Sequence, residues 1–183
     1  LKTREKKIYG INVTVPFKRI IISYMDQLTL EAKSTQSVNT IYLKNDKIIG
    51  HNTDIEGFEQ SIKKIKFNLL NKKVFILGAG GVVPSIVFAL NKMKIAKIFI
   101  SNRTKEKAIN LKKMFNNLNI VNWGVVPNFD IIINATSVGL EKGDRINLDL
   151  SKVGKDKLFY DIIYNPEETN FLKTGKEQGN TIS

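Results

Sequence analysis

The chain of 183 residues contains no cysteine and one histidine, His51. Without thiols there can be no disulfide, no thiolate nucleophile and no cysteine zinc site, and a single imidazole cannot build a histidine cluster around a metal. We therefore expect no metal, and any catalysis must rest on Lys, Asp, Tyr, Ser or Thr, or on a cofactor. No apolar run approaches the roughly 20 residues that span a bilayer, and the opening LKTREKK lacks the apolar stretch of a signal peptide. A cytoplasmic location without a membrane partner is expected. Arginine is scarce: Arg4, Arg19, Arg103 and Arg145 are the only ones among 29 basic residues. A formal net charge of +12 would suit nucleic acid or an anionic ligand. The excess is nevertheless lysine, accompanied by much Asn and Ile, the trio that an A/T-rich coding sequence favours. With no basic stripe interleaved with aromatics, no nucleic-acid partner is expected.

What is present is an ordinary globular composition, 42% hydrophobic and 25% charged, so an ordered fold of one large or two small domains is expected. The chain starts at Leu1 and its charged opening leads straight into a strand pattern, from which we expect a piece of a longer protein. In GINVTVPFKRI, Ile11, Val13 and Val15 alternate as one apolar face, while Asn12 and Thr14 point the other way. Pro16 cannot donate to a sheet and should end the strand. Lys18 then lies just past a strand C-terminus, where open α/β sheets bind ligands. A solvated lysine would read the same way.

SVNTIYL and KIIG bracket Asn45 and Asp46 as a hairpin or paired strands. Phe58, Ile62, Ile65 and Leu69 recur at spacings of three and four, predicting a helix over about 55–70. Then VFILG, a glycine turn, a helix through VVPSIVFALNKM, the strand KIFIS, a helix TKEKAINLKKMF, a short strand near IVNW and the strands FDIIINAT and KLFYDIIY follow in order. The βαβαβ alternation predicts a doubly wound parallel sheet, with the boundary between two lobes near Asp54.

Three clusters could carry chemistry. Gly78, Gly80 and Gly81 lie between a buried strand and a helix, where backbone N–H groups can approach a pyrophosphate; Val83 occupies the place of a third motif glycine. Pro84, in the first helical turn, costs little there. The next strand ends in SNRT. An NAD site usually offers Asp or Glu here, whereas Arg accommodates a 2′-phosphate. Arg103 with Lys107 one turn further on therefore favours NADP. In NTD, Asp54 precedes a helix and could be a plain N-cap. His51 reads as a loop residue without an identifiable partner, Asn39 and Thr40 as strand residues, and Tyr164 as core.

Taken in order, GINVTVPFK, SVNTI, GHNTDIEGF, LGAGG, SNRT, INATSVGL and YDIIYNPEETNFL closely resemble the shikimate dehydrogenase family over almost the whole chain. The resemblance implies an α/β protein: a Rossmann-type doubly wound parallel sheet for NADP (55–183) and a smaller α/β substrate lobe (1–54), present in part. It places the family's first strand, with its serine pair, and its last helix outside this sequence. It implies NADP-dependent reduction of 3-dehydroshikimate to shikimate, with Lys18 as catalytic acid/base and Asp54 beside it. Thr14, Asn39 and Tyr164 match substrate contacts, together with Lys18 and Asp54. Gly78, Ala79, Gly80, Gly81, Asn102, Arg103, Thr104, Lys107, Thr136 and Ile162 match cofactor positions. The resemblance implies no partner beyond the small-molecule substrate and, at most, a second copy in a homodimer. A quinate/shikimate relative with relaxed choice, or an inactive NADP-binding module, are the alternatives.

Overall fold

The computed structural model describes residues 8–65 and 67–183. The chain divides into two compact units: residues up to Lys64 with Gly81–Leu90, and Ile65–Gly80 with Asn91–Ser183.

Among the described residues, the first unit holds a four-stranded sheet in the order β1-β3-β4-β2, formed by β1 (Gly10–Asn12), β2 (Gln27–Leu28), β3 (Thr40–Lys44) and β4 (Lys47–His51). The predicted hairpin is β3–β4, in antiparallel register from Thr40↔His51 to Lys44↔Lys47. Asn45 and Asp46 turn it with φ of 50° and 59°, the doubly left-handed turn that matches strand twist and that Asn and Asp tolerate. β1 is shorter than its alternation suggests. It ends at Asn12, its residues are exposed, and Val15 is 68% exposed. Among the described residues it pairs with β3 alone. Of the predicted apolar face only Val13 packs on the core of Ala32, Val38, Ile41 and Ile48. Helix α1 (Leu30–Thr35) is capped by Thr29, whose hydroxyl accepts from the Ala32 N–H. Helix α2 (Asp54–Lys64) buries Ile55, Phe58 and Ile62, the predicted stripe. It stops short of Ile65 and Leu69: Asn68 instead accepts from the Leu70 N–H, the local side-chain bond that competes with helix propagation.

The second unit is a six-stranded sheet, ordered β10-β9-β8-β5-β6-β7. Its strands are β5 (Lys73–Leu77), β6 (Lys97–Ser101), β7 (Leu118–Ile120), β8 (Ile131–Asn134), β9 (Leu158–Asp161) and β10 (Thr181–Ile182), every pair parallel. β10, an edge strand of two residues, carries too little pattern to be foreseen. Between β5 and β6 the chain runs through α3 (Val83–Lys92), whose residues up to Leu90 belong to the first unit; α4 (Lys105–Met114) connects β6 to β7, and α5 (Asn170–Glu177) connects β9 to β10. The apolar runs 74–77 of β5 and 131–133 of β8 are buried throughout, and of the two strands only Lys73 is exposed, as befits central parallel strands. No helix among the described residues is long and apolar enough to cross a membrane.

A cluster of Phe75, Phe129, Phe159 and Phe171 with Leu77, Ile132, Leu150 and Leu172 fills one side of this sheet. Gly175, in the middle of α5, lets the helix lie on the Phe159 ring: a Cβ there would stand 2.5 Å from Cγ and 2.8 Å from Cδ1. Gly175→Ala should therefore destabilise the fold by about 1 to 3 kcal/mol through overpacking, despite alanine's better helix propensity. Urea unfolding tests this; an unchanged or raised midpoint would contradict it.

Candidate functional site

In the first unit, backbone hydrogen bonds bring three distant segments together. The Val38 N–H donates to the Lys18 carbonyl at 2.8 Å, the Val13 N–H to the Asn39 carbonyl at 2.7 Å, and the Asn39 N–H to the His51 carbonyl at 3.0 Å. Lys18, in the turn that follows β1, is thereby set beside Asn39 and the NTD segment. Its Nζ donates to Asp54 Oδ2 at 2.7 Å, while Asn39 Nδ2 donates to Asp54 Oδ1 at 2.8 Å. Both carboxylate oxygens are thus held by separate donors. The side chains of Lys18 and Asp54 are 17% and 20% exposed, shielded enough for a directed ion pair yet open to a ligand.

The opposite end of the Asn39 amide fixes the chain ahead of α2: its Oδ1 accepts from the Thr53 N–H at 2.9 Å and from Thr40 Oγ1 at 3.0 Å. Asn39 and Thr40 are therefore more than plain strand residues. Asp54 is not the N-cap. The first helical bond runs from the Gly57 N–H to the Thr53 carbonyl, so Thr53 occupies the cap position and the Asp54 carboxylate is left for Lys18. His51 closes β4 instead of lying in a loop, and it has a partner, Thr29 Oγ1, at 3.0 Å. Thr14 lies exposed in the turn leading to Lys18, its carbonyl accepting from the Phe17 N–H. An open depression of about 420 Å³, lined in part by Gln27, Tyr42, Lys44 and Lys47, includes Thr29 but not Lys18, Asn39 or Asp54.

In the second unit the strand order reverses at β5, between β8 and β6, and parallel sheets bind ligands at the carboxyl ends beside such a reversal. Gly78 lies there with φ +105°, and a Cβ on it would stand 2.6 Å from the Ala135 carbonyl oxygen. Only glycine fits, so the loop of Gly78, Ala79 and Gly80 runs close past β8 and leaves its backbone accessible. Gly81 has open space where a Cβ would go.

At the end of β6, Asn102 Nδ2 donates to the Thr104 carbonyl at 2.7 Å, and Thr104 precedes α4. Arg103 and Lys107 are both exposed. A cavity of about 70 Å³ is lined by Asn102, Arg103, Lys105 and Trp123. Lys105 and Trp123 escaped sequence reasoning. The lysine is one of many, and the tryptophan comes from the segment after β7, which no spacing rule connects to SNRT.

The loops after β8 and β9 are joined by one buried carboxylate. Asp161 accepts from Asn134 Nδ2 at 3.1 Å, the Ile163 N–H at 3.0 Å and Thr169 Oγ1 at 2.7 Å. Burial raises the Asp161 pKa above the usual carboxylate range, and these hydrogen bonds pull it back in part. Asn134 in turn accepts from the Thr136 hydroxyl at 2.7 Å, which orients Thr136. The Ile162 N–H donates to the Asn134 carbonyl. Tyr164 is 90% exposed, so it is not core.

A glycine turn at the reversal of a parallel sheet, followed by a basic strand end, places the second unit in the Rossmann class of nucleotide-binding folds. Comparison with known proteins narrows the class. Residues 1–41 match the model of the shikimate dehydrogenase substrate binding domain, and residues 60–163 that of shikimate / quinate 5-dehydrogenase. A curated relative from Pelagibacter ubique, named shikimate dehydrogenase (NADP(+)), is 58% identical over 176 residues, covering 96% of this chain and 66% of the relative. The crystal structure of shikimate dehydrogenase from Aquifex aeolicus superposes with a TM-score of 0.89 at 41% identity, over 99% of this chain and 67% of that one. A Thermus thermophilus shikimate 5-dehydrogenase, solved with NADP(H) and shikimate, gives 0.89 at 28% identity, over 100% and 68%. The chain belongs to the shikimate/quinate dehydrogenase family. It spans just under two thirds of the length of the curated relatives it matches, 66% in Pelagibacter ubique and 64% in Aquifex aeolicus.

Proposed function

We propose that this protein is an NADP-dependent shikimate dehydrogenase, interconverting 3-dehydroshikimate and shikimate. The carrying observation is the Lys18–Asp54 contact of 2.7 Å, with Asn39 on the second carboxylate oxygen. An ammonium held by a carboxylate is a proton donor of fixed direction. In the reducing direction Lys18 gives its proton to the ketone oxygen as that oxygen becomes a hydroxyl; in the oxidising direction neutral Lys18 takes it back. Asp54 orients the amine and accepts from a neighbouring substrate hydroxyl. Thr14, Asn39 and Tyr164 are assigned to further substrate contacts. Residues to Asp54 supply this chemistry and those from Ile55 onward the cofactor side.

The residues fit a dinucleotide. Gly78 leaves no room for a Cβ, which suits close backbone approach to a pyrophosphate. We assign Gly78, Ala79, Gly80 and Gly81 to the pyrophosphate and Asn102, Arg103, Thr104 and Lys107 to the 2′-phosphate. Thr136 and Ile162 are assigned to the nicotinamide side. When bound, NADP supplies or accepts the hydride. The names of the relatives support the same choice. The reaction requires no partner other than the small substrate.

If Arg103 holds a 2′-phosphate, NADP⁺ should bind more tightly than NAD⁺, and Arg103→Ala should weaken NADP⁺ about 10- to 100-fold, the value of one charge-assisted contact at about 1.5 to 3 kcal/mol. NAD⁺ affinity should barely move. Fluorescence titration of both cofactors tests the assignment; equal affinities in the unsubstituted protein would remove it.

A further inference from the structure

Three polar side chains are buried together in the first unit: Asn52 at 1% exposure, Thr35 at 1% and Ser85 at 0%. Such groups are costly unless each is paired. Asn52 Nδ2 donates to Thr35 Oγ1 at 3.0 Å and to Ser85 Oγ at 2.9 Å, and its Oδ1 accepts from the Asp54 N–H at 3.0 Å. Both amide hydrogens and the oxygen are engaged, so the amide has one orientation. Thr35 is anchored in turn, donating to the Glu31 carbonyl at 2.7 Å. Thr35 ends α1, Ser85 lies in the first turn of α3 and Asp54 opens α2. One side chain therefore joins three helices, two residues ahead of the carboxylate that must meet Lys18 and Asn39 together. The internal hydrogen bonds of α2 set its pitch; they do not set how far it is rotated or advanced relative to Lys18. A shift of the helix start by about 1 Å would carry the 2.7 Å and 2.8 Å contacts beyond hydrogen-bond distance.

We propose that Asn52 is a positioning residue, whose buried amide, bonded to Thr35, Ser85 and the Asp54 N–H, sets the place of the Asp54 carboxylate against Lys18. The proposal rests on the reading of Lys18 and Asp54 as the reacting pair, and it assigns Asn52 no contact with substrate.

Two measurements on the full-length protein test it. In a double-mutant cycle, Asn52→Ala should lower kcat about 10- to 100-fold, the scale of a misplaced catalytic group, with KM for NADP⁺ unchanged within about twofold. In an Asp54→Asn background the same substitution should change kcat by less than about twofold, since Asn52 acts through Asp54. An equal loss in both backgrounds marks a merely structural role and overturns the proposal. Should Asn52→Ala not fold, Ser85→Ala, which leaves the bond to the Asp54 N–H intact, carries the cycle with a smaller loss.

The second measurement needs no turnover. In Ser85→Ala, hydrogen exchange at the Asp54 N–H and the Asn39 side-chain amide should quicken at least about threefold, while the β3–β4 ladder keeps its rates, as expected for a local opening. Unchanged exchange at Asp54, or uniform quickening across the unit, overturns the proposal. If unsubstituted protein does not turn over shikimate, or Asp54→Asn is fully active, the functional reading fails, and the exchange rates alone decide the placement of Asp54.

Discussion

Lys18→Met in the full-length protein should lower kcat for shikimate oxidation by about 10²- to 10⁴-fold, the range that a general acid/base group supplies. Methionine keeps the length of the side chain but can neither donate nor accept the proton. The lost interaction belongs to the transition state, so kcat and kcat/KM should fall together and KM should move little. Asp54→Asn should also lower kcat, because the amide cannot hold the ammonium as an ion pair at 2.7 Å, and it should weaken shikimate binding in addition. NADP⁺ affinity should hardly change in either variant. Steady-state kinetics at saturating cofactor check all of this; near-normal kcat in Lys18→Met would take the lysine out of the chemistry.

The second large effect is on stability and falls on Asp161. Asp161→Ala leaves the Asn134 amide, the Ile163 N–H and the Thr169 hydroxyl facing a buried void. Each unpaired buried donor costs about 1 to 3 kcal/mol, so with relaxation the loss should reach roughly 3 to 5 kcal/mol. Asp161→Asn keeps the shape and can accept from Asn134 and Ile163 while donating to Thr169, so its cost should stay near about 1 kcal/mol. The two variants also differ in pH response. The Asp161 pKa is raised by burial, so the folded state binds this proton more tightly than the unfolded one. Its contribution is fully present below the ordinary carboxylate pKa and is lost as pH rises through the raised folded value. The stability of the unsubstituted protein minus that of Asp161→Asn should therefore fall as pH rises over that window. Urea titrations across the series check it, and a difference that grows with pH would contradict the assignment.

The sequence made the framework legible where one physical cause dominates. The apolar run of β5 read as a buried strand of a parallel sheet, FDIIINAT as a further strand of it, and Asn45-Asp46 between two strand patterns as the turn of a hairpin or paired strands. Hydrophobic spacing found α2 but not its end, because Leu69 is buried without being helical and so mimics the periodicity. The same effect lengthened β1: alternation records side-chain direction, whereas pairing needs a neighbour, and among the described residues β1 pairs with β3 alone, over Gly10–Asn12.

At the site, the meeting of Lys18 with Asp54 followed from resemblance; no local pattern connects residues 36 positions apart. The hydrogen bonds that make it happen were illegible for the same reason. Asn52 reaches Thr35 across 17 positions and Ser85 across 33, and nothing in the tripeptide NTD distinguishes a buried, three-way amide from an exposed loop residue. Thr29 with His51, and Trp123 with Arg103, are likewise products of the tertiary fold.

The central claim, that Lys18 and Asp54 serve NADP-dependent turnover of shikimate, is tested most directly by absorbance at 340 nm. Full-length protein with shikimate and NADP⁺ should give a rise in NADPH proportional to enzyme, and Lys18→Met, folded and still binding NADP⁺, should reduce it by at least about a hundredfold. No rise with shikimate from folded, NADP⁺-binding protein, or an undiminished rise from Lys18→Met, would contradict the account.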